Sequence, residues 1–299
     1  MRASSSAALV LALAACSPAS PPAEPAASTP EPAPAAAPAP AAGPTLTVAW
    51  TTHRFANPES VLPSADGTFF YVSNVAGEGA DKDGNGFISR LAIDGTLLER
   101  EWSKDDLDAP KGLALADGRL YVSDVTQLVV LDAASGEVLE RFEAPDAKFL
   151  NDVAIAPDGA VLVSDSGSAR IYALRDGKLE TWHEGELFGA INGLLPEADR
   201  LIVTTMQGRL LAVDWTTREI TPLATDLGNA DGVVALDDGT WLVGEWPGRL
   251  FHVRADGTNT TLIDSREQKT YLNDFLRVGD RVIVPNWEPS TVTAYTLAQ

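Results

Sequence analysis

Six polar residues recur at the starts of short apolar runs. They are Glu59 in "NPESVL", Lys111 in "APKGLAL", Asn151 in "FLNDVAI", Asn192 in "AINGLL", Asp231 in "NADGVVAL" and Asn273 in "YLNDFL". They are 52, 40, 41, 39 and 42 residues apart. A polar group that opens an apolar run is costly to bury without a partner. Taken together, Glu, Asn, Asn and Asp supply two negative charges and neutral carbonyl oxygens. That is the hard-oxygen donor set calcium prefers, with positions left for water or substrate. Two readings of the ring follow: a divalent-metal site, or a hydrogen-bonded polar plug.

The spacing sets the elements that must hold these residues. Six apolar runs resemble one another: "FFYVSNV", "LYVSDV", "VLVSDS", "LIVTTM", "WLVGEW" and "VIVPNW". Their aligned valines, Val72, Val122, Val163, Val203, Val243 and Val284, are 50, 41, 40, 40 and 41 residues apart. A turn signal such as "APDG" or "LDDG" precedes each, and a third apolar run and a more polar fourth follow. Four short strands in about forty residues, repeated, mark a propeller blade. The expected fold is all-β, a six-bladed β-propeller. Its last repeat stops at the third strand, so "TLTVAWTT", Thr45 to Thr52, is expected to supply the fourth and close the ring. First strands line a propeller's channel, so the six polar residues should converge at one mouth.

The chain here resembles the SMP-30/gluconolactonase/LRE-like family of six-bladed propellers, and more distantly the calcium-dependent phosphotriesterase and lactonase propellers. The resemblance spans about residues 55 to 297 and rests on "PESV", "FLNDVAIAPDG", "INGLL" and "ADGVVALDDGTWLV". It implies that Glu59, Asn192 and Asp231 bind a divalent metal, most often calcium, with Asn151 joining the metal or the substrate. It also implies hydrolysis of a lactone or related ester. In that chemistry the metal polarises the carbonyl, Asp231 holds or activates the attacking water, and Asn151 and Asn273 orient the substrate. Lys111 departs from the family pattern. It is a candidate to bind an anionic substrate, or to pair with Glu59 or Asp231 and displace the metal. No residue matches the family's substrate-binding Arg.

Met206, Trp246 and Trp287 follow second strands, in "TTMQG", "GEWPG" and "PNWEP". Strand reversal brings them to the face of the ring, as candidate pocket walls or as packing between blades. His183, at the end of a fourth strand, is a further candidate to reach the pocket, whereas His252 is expected to be structural. "VSDSG" lacks the glycine elbow of a hydrolase nucleophile.

The stretch "ADKDGNGF" places Asp81, Asp83 and Asn85 at the spacing of a calcium loop. The position that should carry a bidentate Glu is Ala92. The flanking strands exclude the helices of an EF-hand. This segment is expected to be an insertion between the second and third strands of blade one, either a second calcium loop or a solvated turn, beside the ring as a rim or lid.

The chain's ends and composition bound its setting. Residues 1–15 read as a secretory signal, and "LAAC" resembles a lipoprotein processing box ending at Cys16, the single cysteine. Ser17 favours the outer membrane. Residues 16–44 are a Pro/Ala-rich tether, and 45–299 the folded domain. The expected location is the bacterial cell envelope, facing the periplasm, with membrane contact only through the lipid. The net charge of −20 argues against nucleic acid or an anionic membrane surface as partner. A monomer acting on a small molecule is expected. The alternative is a non-catalytic envelope propeller that binds a protein, peptide or small-molecule partner.

Overall fold

The structure is a computed structural model and describes residues 43–103 and 105–299. The signal segment, Cys16 and all but the last two residues of the 16–44 tether lie outside the described residues. Among the described residues, no helix is long and apolar enough to cross a membrane.

Six four-stranded antiparallel sheets form a ring, and Thr45–Thr52 is the outer strand of the sheet whose other strands come from the C-terminal end. The first strands of the blades are Pro58–Pro63, Pro110–Ala116, Leu150–Ile155, Ile191–Pro196, Asn229–Ala235 and Leu276–Val278. Hairpin turns follow from local chemistry. In "APDG" and "LDDG" the Asp158 and Asp238 carboxylates each accept an N–H two residues on, at 3.1 Å. Gly159 and Gly239 then take φ of 85° and 79°, where a side chain would be strained.

The core lies between blades. One cluster joins Leu162, Ile171 and Ala173 of blade three to Leu201, Val203 and Leu211 of blade four, all fully or almost fully buried. Equivalent clusters join the other neighbours. The β-branched and leucine side chains on each second and third strand alternate with residues facing the adjacent blade, so both faces of these strands are apolar.

A recurrent irregularity positions the site. In five blades the register between first and second strand slips by one residue, between Pro58/Val61, Pro110/Leu113, Leu150/Val153, Ile191/Leu194 and Ala230/Val233. Each slip is a β-bulge in which two first-strand residues oppose one partner residue, which breaks the usual alternation of side chains. The first bulge residue is always the ring residue. The sixth blade differs: Asn273 precedes its short first strand, in a segment held by an isolated bridge, Leu272 to Asn286, and by the Asn273 N–H on the Pro285 carbonyl at 3.2 Å.

Candidate functional site

All six ring residues are buried at the start of the channel. Their polar atoms are held differently. Asn273 Nδ2 donates to the Pro58 carbonyl at 2.9 Å, which ties blade six to blade one beside Glu59. Asn151 Nδ2 points to Ser166 Oγ at 3.3 Å and leaves its Oδ1 as an acceptor. The Asn192 side chain lies beside the Asp231 carboxylate and favours its ionised form. Glu59 Oε2 and Asp231 Oδ1 are buried with no hydrogen-bond partner.

The second bulge residues form a lower tier: Ser60, Gly112, Asp152, Gly193, Gly232 and, in the sixth blade, Asp274. Second-strand hydroxyls pin the bulges. Ser73, Ser164 and Thr204 accept the N–H of Ser60, Asp152 and Gly193 at 2.9, 2.9 and 2.7 Å. Ser123 and Thr204 donate to the carbonyls of Asn151 and Asp231 in the next blade. The lower-tier glycines allow adjacent first strands to touch. A Cβ on Gly193 would stand 2.6 Å from the Asp231 carbonyl oxygen, and one on Gly232 would stand 2.5 Å from Asp274 Oδ1.

Asp152 and Asp274 were not singled out from sequence. Each is the second half of an "ND" pair in blade phase, at 151–152 and 273–274, and that doublet was the available signal. Asp152 accepts from Val153 N at 2.7 Å and Leu194 N at 2.6 Å. Asp274 accepts from Ser60 Oγ at 2.9 Å. The four carboxyls act on one another. Burial, then the charges of Asp231 and Asp274, raise Glu59 well above the carboxylate range, with Lys111 opposing. Burial and then Asp274 do the same to Asp231 and to Asp152. Burial lifts Asp274 to about 6.

Lys111 makes no ion pair with Glu59 or Asp231 among the described residues. Its ammonium donates to the Ala109 carbonyl at 2.9 Å and lies 4.5 Å from the centre of the Phe149 ring. Burial lowers it to about 8, against the pull of Glu59 and Asp124.

The second-strand ends lie at the ring's level. Thr205 pairs with Ile191, next to Asn192, and Trp246 with Asn229, two residues before Asp231, so Met206 and Trp246 stand at this mouth. Trp246 makes an edge contact with Tyr271, ring centres 5.5 Å apart. Trp287 packs against Val75, Ala109 and Val125. His183 lies in the outer strand Lys178–Glu184 against Trp182 and Phe188, and His252 Nε2 meets Thr240 Oγ1 at 2.9 Å.

Residues 75–86 connect the second and third strands of blade one, Phe69–Asn74 and Phe87–Ala92. Asp81, Asp83 and Asn85 are exposed, and Asn85 Nδ2 donates to Asp83 Oδ2 at 2.7 Å. The loop reaches the ring at Gly79, where a Cβ would stand 3.1 Å from Phe149 Cζ and 3.6 Å from Lys111 Cε.

Among the described residues, no three His, Cys, Asp or Glu side chains form a group able to hold a metal. A metal here would therefore need carboxamide oxygens. The donor set fits that demand. Glu59 Oε2 and Asp231 Oδ1 lack partners, Asn151 commits its amide nitrogen to Ser166, which leaves the oxygen, and Asn192 adds a second carboxamide beside Asp231.

No curated protein matches the chain. A family model described as outer membrane protein assembly factor BamB matches residues 84–187. Among solved structures, virginiamycin B lyase from Staphylococcus aureus superposes with a TM-score of 0.61 at 12% identity, over 86% of this chain and 100% of that one. A streptogramin B lyase gives 0.62 at 14%, over 85% and 98%. Luciferin-regenerating enzyme gives 0.61 at 14%, over 86% and 96%. At these identities the likeness is one of fold: the chain is a six-bladed β-propeller resembling the virginiamycin B lyase and luciferin-regenerating enzyme propellers.

Proposed function

We propose that this protein is a divalent-metal-dependent hydrolase of a lactone or related ester, acting at the ring mouth of its channel. One observation carries the reading: Glu59 Oε2 and Asp231 Oδ1 are buried together without hydrogen-bond partners. Buried carboxylates that lack partners are unfavourable unless a cation joins them. Glu59, Asp231, Asn192 and Asn151 would hold it, most readily as calcium. When bound, the metal polarises the substrate carbonyl and stabilises negative charge on its oxygen. Asp231 would take the proton of the attacking water and return it to the leaving alkoxide oxygen as the acyl C–O bond breaks. The carboxamide oxygen of Asn273 orients the substrate. Lys111 meets an anionic substituent, and Met206, Trp246 and Trp287 supply apolar wall. The test is a panel of lactones and aryl esters assayed with calcium and with a chelator. Turnover that calcium restores after chelation supports the reading. Hydrolysis of no panel member under any divalent ion contradicts it.

A second reading is a non-catalytic envelope platform, anchored through Cys16 at the outer membrane. It is favoured by Leu187, in the connection from blade three to blade four, and by Met206 and Trp246 on blades four and five, which leave 41, 38 and 37% of their surface exposed. The match of residues 84–187 to a family named for outer membrane protein assembly points the same way. Metal binding without turnover of the panel would select this reading.

A further inference from the structure

Beyond the ring, the channel continues as a cavity of about 820 Å³ towards the opposite face. That volume lies within the usual range of small-molecule sites. Its floor is Ser60, Asp152 and Asp274, and its far mouth carries Asp237 and Arg277. The walls between are apolar, and several, including Leu62, Leu115, Ile155 and Leu276, remain partly accessible inside the channel. Apolar surface left open within a confined space favours an apolar occupant.

Charge decides which kind. Arg277 is engaged by Asp237 through two hydrogen bonds of 2.8 and 2.7 Å, so the mouth is neutral. Neither Asp152 nor Asp274 has an ion pair among the described residues, so the floor holds two acid groups with no balancing cation. Asp152 belongs to blade three and Asp274 to blade six, on opposite sides of the ring, and the charge of Asp274 acts on Asp152. Main-chain N–H groups hold Asp152, and Ser60 holds Asp274, yet each carboxylate keeps acceptor capacity.

We infer that this channel is a second binding site, for an organic ammonium ion with an apolar body. The ammonium is shared between Asp152 and Asp274, and the body lies along the apolar wall. An ammonium offers three donors, which suits two facing carboxylates. The apolar wall that adjoins the floor suits the body of an organic cation and offers a bare divalent ion nothing. A carboxylate ligand would meet like charge. The site uses no ring residue and is independent of the hydrolase reading.

Calorimetry of the protein in chelator, with octylammonium chloride below its aggregation concentration, tests this. Octanol and octanoate are the controls. Octylammonium should bind saturably at one site, at least tenfold tighter than octanol, and octanoate should not bind. Asp274→Asn should weaken octylammonium at least tenfold and leave octanol unchanged. Leu115→Trp, which fills the wall, should abolish both and decides the matter should Asp274→Asn fail to fold. Glu59→Gln should leave octylammonium within twofold. Equal binding of octylammonium and octanol would overturn the inference. So would full affinity in Asp274→Asn or Leu115→Trp, or a loss in Glu59→Gln that shows the cation seated in the ring. Ester turnover does not enter, so failure here is separate from failure of the hydrolase reading.

Discussion

The Thr204 hydroxyl of blade four donates to the main-chain carbonyl of Asp231 in blade five. The same oxygen accepts the Gly193 N–H at 2.7 Å. One side chain thus pins its own blade's bulge and the backbone of a candidate metal ligand in the next. Thr204→Val keeps the shape and leaves two buried backbone groups unpaired, at a cost of about 2–4 kcal/mol. Thr204→Ser restores both bonds and should cost about 1 kcal/mol or less. Urea unfolding of the two variants separates these outcomes.

Gly232 is set by contact. A Cβ there would stand 2.5 Å from Asp274 Oδ1 and 2.9 Å from Asp274 Cα and Phe275 Cδ1. Gly232→Ala must push blades five and six apart, and should destabilise the protein by about 1–3 kcal/mol. Urea unfolding reads this too.

The buried carboxyls make the metal-free protein pH-sensitive. Glu59, Asp152, Asp231 and Asp274 all bind protons more readily folded than unfolded, where they titrate near 4.5 for Glu and 3.8 for Asp. Their contribution to stability is fully present below those values and is lost as pH rises through the folded values, about 6 for Asp274. For Asp274 alone the loss is on the order of 3 kcal/mol. Scanning calorimetry in chelator should give a melting temperature about 5 °C or more higher at pH 5 than at pH 7.5. Calcium should narrow the gap, because a nearby cation favours the ionised carboxylates. Under the same conditions at pH 7.5, Asp231→Asn should melt higher than the wild-type protein.

Lys111 lies 4.5 Å from the Phe149 ring centre, beneath the loop at Gly79, and its charge acts on Glu59. Lys111→Met should raise KM for an anionic ester at least tenfold and change a neutral ester of the same size less than threefold. It should also tighten calcium, by removing a like charge from the mouth. Steady-state kinetics on the matched pair checks the first, and titration with calcium the second.

The blades were legible because the repeat is long and in phase, and Val122, Val163, Val203 and Val243 mark it at 41, 40 and 40 residues. Ring closure by Thr45–Thr52 was legible because the last repeat lacks a strand. The ring residues share that phase. The lower tier was not legible, because a regular strand turns consecutive residues to opposite faces. In that geometry Asp152 and Asp274 point away from the channel. The bulge brings Asp152 in, while Asp274 reaches the channel from a segment that precedes the short first strand of blade six; a bulge is a matter of register with the partner strand, pinned in three blades by Ser73, Ser164 and Thr204. Blade six has no such bulge. Pro285 stands at the hydroxyl position, as Gly244 does in the bulged blade five, and Asn273 lies outside a regular strand with its N–H on the Pro285 carbonyl at 3.2 Å.

The central claim is that the ring holds a divalent cation between Glu59 and Asp231. Isothermal titration of the chelator-stripped protein with calcium at pH 7.5 tests it directly. One saturable site is expected, weakened at least a hundredfold by Glu59→Gln and by Asp231→Asn, with both variants still folded. A wild-type protein that takes up no calcium, magnesium, manganese or zinc, or one whose site survives both substitutions, would contradict it.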